Sequence, residues 1–253
     1  MSMAARLSGD SGALSRFQPD SRPMLTAHQA HVWSAEVWPG CDLSALKAVL
    51  SDDERYRAGS FRTTALRDIY IAAHGTLRLI LAASVGKPAD RLAFTANAWG
   101  KPRLVGADAD IHFNLSHSGN RFLIAVSRSG PIGVDIERIA SEPPYEIETS
   151  TFTQFEQSRL DGLPPQSRKL AFYDFWARKE AVIKGVGRGL AMDLQEIDVA
   201  LGVDRACCPA RLSGNCSEEG TWHVWRLPAI SGFASALASQ DSRLAIRFEE
   251  IAL

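Results

Sequence analysis

Apolar and charged residues alternate along "GVDIER" (133–138), Val134 and Ile136 against Asp135 and Glu137, with the period of a half-buried β-strand. "HVWSAEVW" (31–38) alternates in the same way. "IHFNLSHS" (111–118) and "RFLIAVSRSG" (121–130) read as two strands joined by a polar turn around Gly119 and Asn120. Between these strands the period changes. Residues 43–61 predict a short helix and then a second one, with Ser51 as N-cap and Glu54 three residues on. Residues 64–83 predict a long, largely apolar helix on which Arg67, His74 and Arg78 fall near one stripe. A further helix is predicted from about Gln166 to Lys184, followed by the strand-like runs "TWHVWRLP" (221–228) and "SGFASALASQ" (231–240).

Helix followed by strands thus occurs twice, which predicts an α+β fold of two similar α/β halves. Each half has mainly antiparallel sheet with a long helix packed on it. The expected divisions are a disordered tail over 1–24, an N-terminal half over 25–131 and a C-terminal half over 132–253. "HVW" recurs at 31–33 and 223–225, too short a repeat to establish duplication.

The chain has 253 residues, 45% of them hydrophobic and 23% charged, enough for one large domain or two modest ones. A net charge of −1 without any block of like charge argues against a nucleic-acid surface. Cys41, Cys207, Cys208 and Cys216 form no C-x-x-C pair, which predicts reduced thiols and a cytoplasmic protein. The first 23 residues lack an apolar signal-peptide core, and nowhere do 18 apolar residues run together, so no membrane segment is expected.

Asp135 and Glu137 point to one side of their strand, roughly 7 Å apart, and repel unless a cation lies between them. A solvated edge paired with lysines would satisfy them. In "FWARKEAVIKGVGRG" (175–189), however, Lys179, Glu180 and Lys184 lie on a helix whose apolar face carries Phe172, Trp176 and Ile183. Glu180 and Lys184 could be a surface ion pair worth about 0.3–0.5 kcal/mol. Alternatively, Glu180 is a third carboxylate and the lysines contact an anion. Three carboxylates with lysines at hand suit Mg2+ completed by substrate phosphates, hence chemistry on a polyphosphate. "GVGRGL" (185–190) closes a helix instead of opening one, so it is read as a C-cap and turn, not a dinucleotide fingerprint.

Taken together, "GVDIE" (133–137), "FWARKEAVIK" (175–184), "GKPRL" (100–104) and "FNLSHS" (113–118) resemble, in order, the motifs of the 4′-phosphopantetheinyl transferase superfamily in its surfactin-synthetase-activating (Sfp-like) branch. "RAGSF" (57–61) and "AAHGTLR" (72–78) echo it more weakly. The resemblance implies a monomer whose halves form a pseudo-dimer with coenzyme A in the cleft between them. It also implies Mg2+-dependent transfer of phosphopantetheine to a serine of an apo acyl or peptidyl carrier protein, with release of 3′,5′-ADP. By the same resemblance Asp135, Glu137 and Glu180 are the metal ligands. Lys179 and Lys184 contact coenzyme A phosphates, and Ser116 and His117 bind the same ligand, His117 at its 3′-phosphate. Lys101 lies on the adenosine side, and Arg57 is a second 3′-phosphate contact. The catalytic roles fall to Lys184 and to Glu156, the latter as general base. On the residues alone His117 could equally hold a turn, Lys101 be an exposed loop residue, Ser116 close a strand and Glu156 start a helix. The departures are Ala177, Leu66 and "FTQ" (152–154), none of them an expected metal ligand. A non-catalytic binder of coenzyme A and a Mg2+-dependent pyrophosphatase are the other function classes left open.

Overall fold

A computed structural model describes residues 26–106, 110–201 and 206–253, so the expected tail over 1–24 lies outside the described residues. The chain runs β1 (Gln29–Glu36), α1 (Ser44–Ala48), α2 (Asp52–Gly59), α3 (Thr64–Val85), β2 (Phe94–Ala96), β3 (Pro102–Leu104), β4 (His112–Ser118), β5 (Arg121–Ser127) and β6 (Ile132–Arg138). It continues as α4 (Glu148–Thr151), α5 (Gln154–Asp161), α6 (Pro165–Val186), β7 (Ile197–Asp198), β8 (Cys207–Leu212), β9 (Trp222–Arg226), β10 (Phe233–Ser239) and β11 (Ala245–Ile251).

The helix boundaries follow local chemistry. Ser51 Oγ accepts from Glu54 N while Glu54 Oε2 accepts from Ser51 N, so the expected capping box opens α2. Thr63 caps α3, and Pro165 sits in the first turn of α6. Both long helices have 22 residues, and each ends at a glycine in the left-handed region, Gly86 at φ +70° and Gly187 at φ +81°. By length and composition α3 could cross a membrane, yet its Ile69, Leu77, Ile80 and Leu81 are buried in a protein core. All four cysteines are unpaired.

One sheet has the strand order β11-β1-β5-β4, a second β6-β10-β9-β8-β7, and β2 and β3 form a separate hairpin. The two main sheets contain the same unit. In the first, β1 precedes α3, and the hairpin β4–β5 returns with β5 beside β1. In the second, β6 precedes α6, and β9–β10 return with β10 beside β6. The halves are therefore a pseudo-dimer in topology. The two "HVW" segments are not equivalent within it, because one lies on β1 and the other on β9, whereas the counterpart of β1 is β6.

One expected boundary needs correction. Strand β11, from the end of the chain, pairs parallel with β1, Val32 opposite Phe248, so residues 245–251 complete the sheet of the N-terminal half. A cut at 131 would take an edge strand from that sheet.

Three apolar clusters explain the strand patterns. Phe122, Ile124 and Val126 of β5 pack toward α3, while Leu123 and Ala125 join Val32, Val134, Ile136 and Leu237 in a cluster shared by the two main sheets. A strand covered on both faces reads as a continuous apolar run, and β5 does. In the third cluster Phe172, Phe175 and Val182 of α6 meet Trp222, Val224 and Ala236.

Strand β6 departs from the half-buried reading, since its side chains are buried from Ile132 to Ile136 on both faces. Helix α6 lies so close that a Cβ at Gly133 would overlap the Ala181 carbonyl oxygen and Gly185 N. Gly133→Ala should accordingly lower stability by about 1–3 kcal/mol. In urea unfolding an unchanged midpoint would show that α6 can shift away freely.

Candidate active site

The close approach of α6 to β6 sets the charged residues of the two elements side by side. Asp135 is fully buried; its Oδ1 accepts from Ser116 Oγ at 2.8 Å and forms an ion pair with Lys184 Nζ, which also donates to Ser116 Oγ at 2.9 Å. Asp135 Oδ2 is buried with no hydrogen-bond partner. Lys184 therefore pairs across to β6. This pairing has a physical reason, because a buried carboxylate needs a counter-charge more than a helix-surface one does.

The remaining carboxylates share this field. Burial, together with the charges of Asp135 and Glu180, pushes Glu137 up to about 6, although Ser118 Oγ donates to its Oε2 at 3.0 Å. Burial and the charge of Asp135 raise Glu180 as well. Burial raises Asp135 against the opposing pull of Lys184 and Ser116. The three carboxylates are thus electrostatically coupled and under-compensated. Among the described residues no three His, Cys, Asp or Glu side chains converge at ligating geometry. Mg2+ does not require such a cage, since it commonly takes one or two carboxylates and completes its shell with water and phosphate. The unpartnered Oδ2 of Asp135 beside two more carboxylates fits that demand.

Basic groups extend the site toward the N-terminal half. His117 is exposed on β4, its pKa lowered by partial burial and by the charge of Lys184. His74 on α3 stacks on Tyr70 at 4.0 Å and feels Glu54, His117, Arg57 and Arg78. Arg57 is exposed in the last turn of α2. The third member of the predicted stripe, Arg78, is instead buried, bonded to Glu54 Oε2 at 2.6 Å and to the carbonyls of Ala89 and Leu92.

Burial also lowers His74 from 6.5 to about 4. Between those values the unfolded chain binds a proton that the folded chain refuses, so stability is intact above pH 6.5 and falls as pH drops toward 4. With the side chain 29% exposed, His74→Gln should remove on the order of 2 kcal/mol of this acid sensitivity. Urea midpoints of both proteins across that window check it, and equal slopes would contradict it.

Three expected site residues have their side chains engaged within the fold. Lys179 and Glu156 form an ion pair at 2.8 Å in which both side chains are essentially inaccessible. Lys179 Nζ also donates to the carbonyls of Leu194 and Ile197, and Glu156 accepts from Thr153 N and Val199 N. In this structure Lys179 and Glu156 satisfy each other inside the C-terminal half, instead of pointing to the Asp135 group. Lys101, half-buried, is also bonded within the fold. Its ammonium donates to the carbonyls of Ile132 and Gly185, and burial lowers its pKa to about 8. Together with Asn97, which donates to the Gly187 carbonyl, it fastens the β2–β3 hairpin to the end of α6. A cleft of about 640 Å³ lined by Thr153, Phe155, Glu196, Asp198 and Arg211 does not include Asp135, Glu137 or Glu180.

The residues missed in the sequence are Asn114 and Ser118. With Ser116 they occupy alternate positions on β4, and their side chains accept from the backbone N–H groups of Val134, Ile136 and Arg138 on β6. The edges of the two sheets are joined by side chains, and the period-two run Asn114, Ser116, Ser118 was the available signal.

Residues 131–238 match the family model of the 4′-phosphopantetheinyl transferase superfamily. The chain is similar to the 4′-phosphopantetheinyl transferase HetI of Nostoc sp., 34% identical over 183 residues that cover 70% of this chain and 76% of that protein. A 4′-phosphopantetheinyl transferase of Bacillus subtilis is 35% identical over 138 residues, 52% of this chain and 60% of the relative. The 4′-phosphopantetheinyl transferase Sfp of Bacillus subtilis strain 168 is 38% identical over 112 residues, 44% of this chain and 48% of the relative. The last two alignments thus span less than two thirds of the relatives' lengths.

Proposed function

Because this chain belongs to the 4′-phosphopantetheinyl transferase superfamily, we propose that it transfers the phosphopantetheine arm of coenzyme A to a serine hydroxyl of an apo carrier protein, acyl or peptidyl, releasing 3′,5′-ADP. The observation that carries the reading is the buried, unpartnered Oδ2 of Asp135 beside Lys184, Glu137 and Glu180. An under-compensated carboxylate group next to an ammonium and a basic field suits a metal-bridged pyrophosphate.

In this reading Asp135, Glu137 and Glu180 hold Mg2+. When bound, the ion supplies Lewis-acid stabilisation of charge on the pyrophosphate. Lys184, 30% exposed beside Asp135, reaches the phosphates as a point charge. His117 and Arg57, both exposed, take the 3′-phosphate, with His74 close behind. Ser116 orients Asp135 and Lys184 through its two hydrogen bonds. With Glu156 enclosed, removal of the serine proton falls to a carboxylate of the Asp135 group. One chain supplies both halves, so the enzyme works as a monomer; the unpaired thiols support a cytoplasmic location.

Intact-mass spectrometry of an apo carrier protein incubated with the enzyme, coenzyme A and Mg2+, beside an EDTA control, tests this. A gain of one phosphopantetheine that EDTA abolishes is the expected result. Breakdown of coenzyme A without an acceptor would indicate a pyrophosphatase instead. Binding of coenzyme A without any product, over several acyl and peptidyl carriers, would indicate a binder.

A further inference from the structure

Two rungs of the β4–β6 seam have the same construction. Ser116 Oγ accepts from Ile136 N at 3.4 Å and donates to Asp135 Oδ1 at 2.8 Å. Ser118 Oγ accepts from Arg138 N at 3.0 Å and donates to Glu137 Oε2 at 3.0 Å. In each rung one hydroxyl fixes a carboxylate and the backbone N–H that follows it. A hydroxyl has a single proton, and at Ser118 the Arg138 N–H occupies an acceptor position, which leaves that proton aimed at Glu137.

Without this bond the Glu137 side chain, at the partly exposed end of β6 and repelled by Asp135 and Glu180, would turn outward to water. Among the neighbouring charges Lys184 alone attracts it, and that ammonium is already bonded to Asp135 and Ser116. The sequence period supports the pairing, since residues two apart on β4 meet residues two apart on β6.

We infer that Ser118 is a positioning residue that holds the Glu137 carboxylate beside Asp135 for metal binding by the carboxylate group. This rests on the metal reading proposed above and adds a residue to it. Ser118 touches neither substrate nor metal in this assignment; it acts through Glu137.

The test measures binding of Mn2+ to the full-length enzyme in the presence of coenzyme A, by electron paramagnetic resonance of the free ion. It compares wild type, Ser118→Ala and Ser118→Thr. Loss of the hydroxyl should weaken Mn2+ binding about tenfold, with Thr restoring it to within about threefold, as expected for a hydrogen bond supporting a ligand. The KM for coenzyme A at saturating metal should stay unchanged, because the phosphate contacts are elsewhere. If wild type binds Mn2+ and Ser118→Ala binds it equally well, the inference falls and the metal reading stands. If wild type binds no Mn2+, the metal reading fails and takes the inference with it. Thr as weak as Ala in a folded protein would also overturn it. Should Ser118→Ala lose its melting transition, Ser118→Cys, which keeps the size with a weaker donor, replaces it in the same comparison.

Discussion

Lys179→Met should destabilise the protein by about 3–5 kcal/mol, because it leaves the Glu156 carboxylate buried without its cation. Both side chains are enclosed, and the pair sits where α5 begins and α6 passes the Leu194–Ile197 segment. Adding Glu156→Gln removes the orphaned charge and should return about half of that loss or more. The remainder reflects the Leu194 and Ile197 carbonyls, which lose a donor in both variants. Urea unfolding of the two single variants and the double gives the coupling energy directly. The cycle also separates structure from chemistry. With the pair structural, the double variant transfers phosphopantetheine at close to the wild-type rate wherever it is folded. A folded double variant with transfer lost would return Glu156 or Lys179 to the reaction.

The place of this pair was written in the sequence. Phe172, Trp176 and Ile183 define the apolar face of α6, and Lys179 falls between Trp176 and Ile183 at i+3 and i−4, in the middle of that face. Glu180, one residue on, turns about 100° away and shares a side with Lys184. Thr153 and Glu156 have the spacing of a capping box, which the structure contains. Strands β1, β4, β5, β6, β9 and β10, the helices α1 and α2 and both long helices were legible because each depends on local period. The grouping of Asp135 with Glu180 and Lys184, across 49 residues between Asp135 and Lys184, came from the family resemblance. The cover over Asp135 was not, since alternation along a strand separates two faces without saying what packs on either. Nor was the return of β11 to β1 legible, because a pairing between the two ends of a chain leaves no local signal.

Asp135→Asn should reduce transfer by about a thousandfold or more while leaving stability at neutral pH unchanged or higher. The first part follows from charge: an amide oxygen is a poorer ligand for a hard cation and cannot balance Lys184. The second follows from burial, which disfavours the Asp135 carboxylate strongly enough to raise its pKa despite the adjacent ammonium. A neutral side chain of the same shape removes that desolvation cost, and Lys184, 30% exposed, can turn its ammonium to solvent. Ser116 can still donate to the amide oxygen. A residue that weakens the fold and is required for turnover is the pattern expected of a functional group. Melting temperature and carrier-protein mass gain, measured on one preparation, check both parts. Transfer retained at saturating Mg2+ would remove Asp135 from the metal site. A large drop in melting temperature would mean that the Asp135–Lys184 bond, and not the cost of burying the carboxylate, dominates at this position.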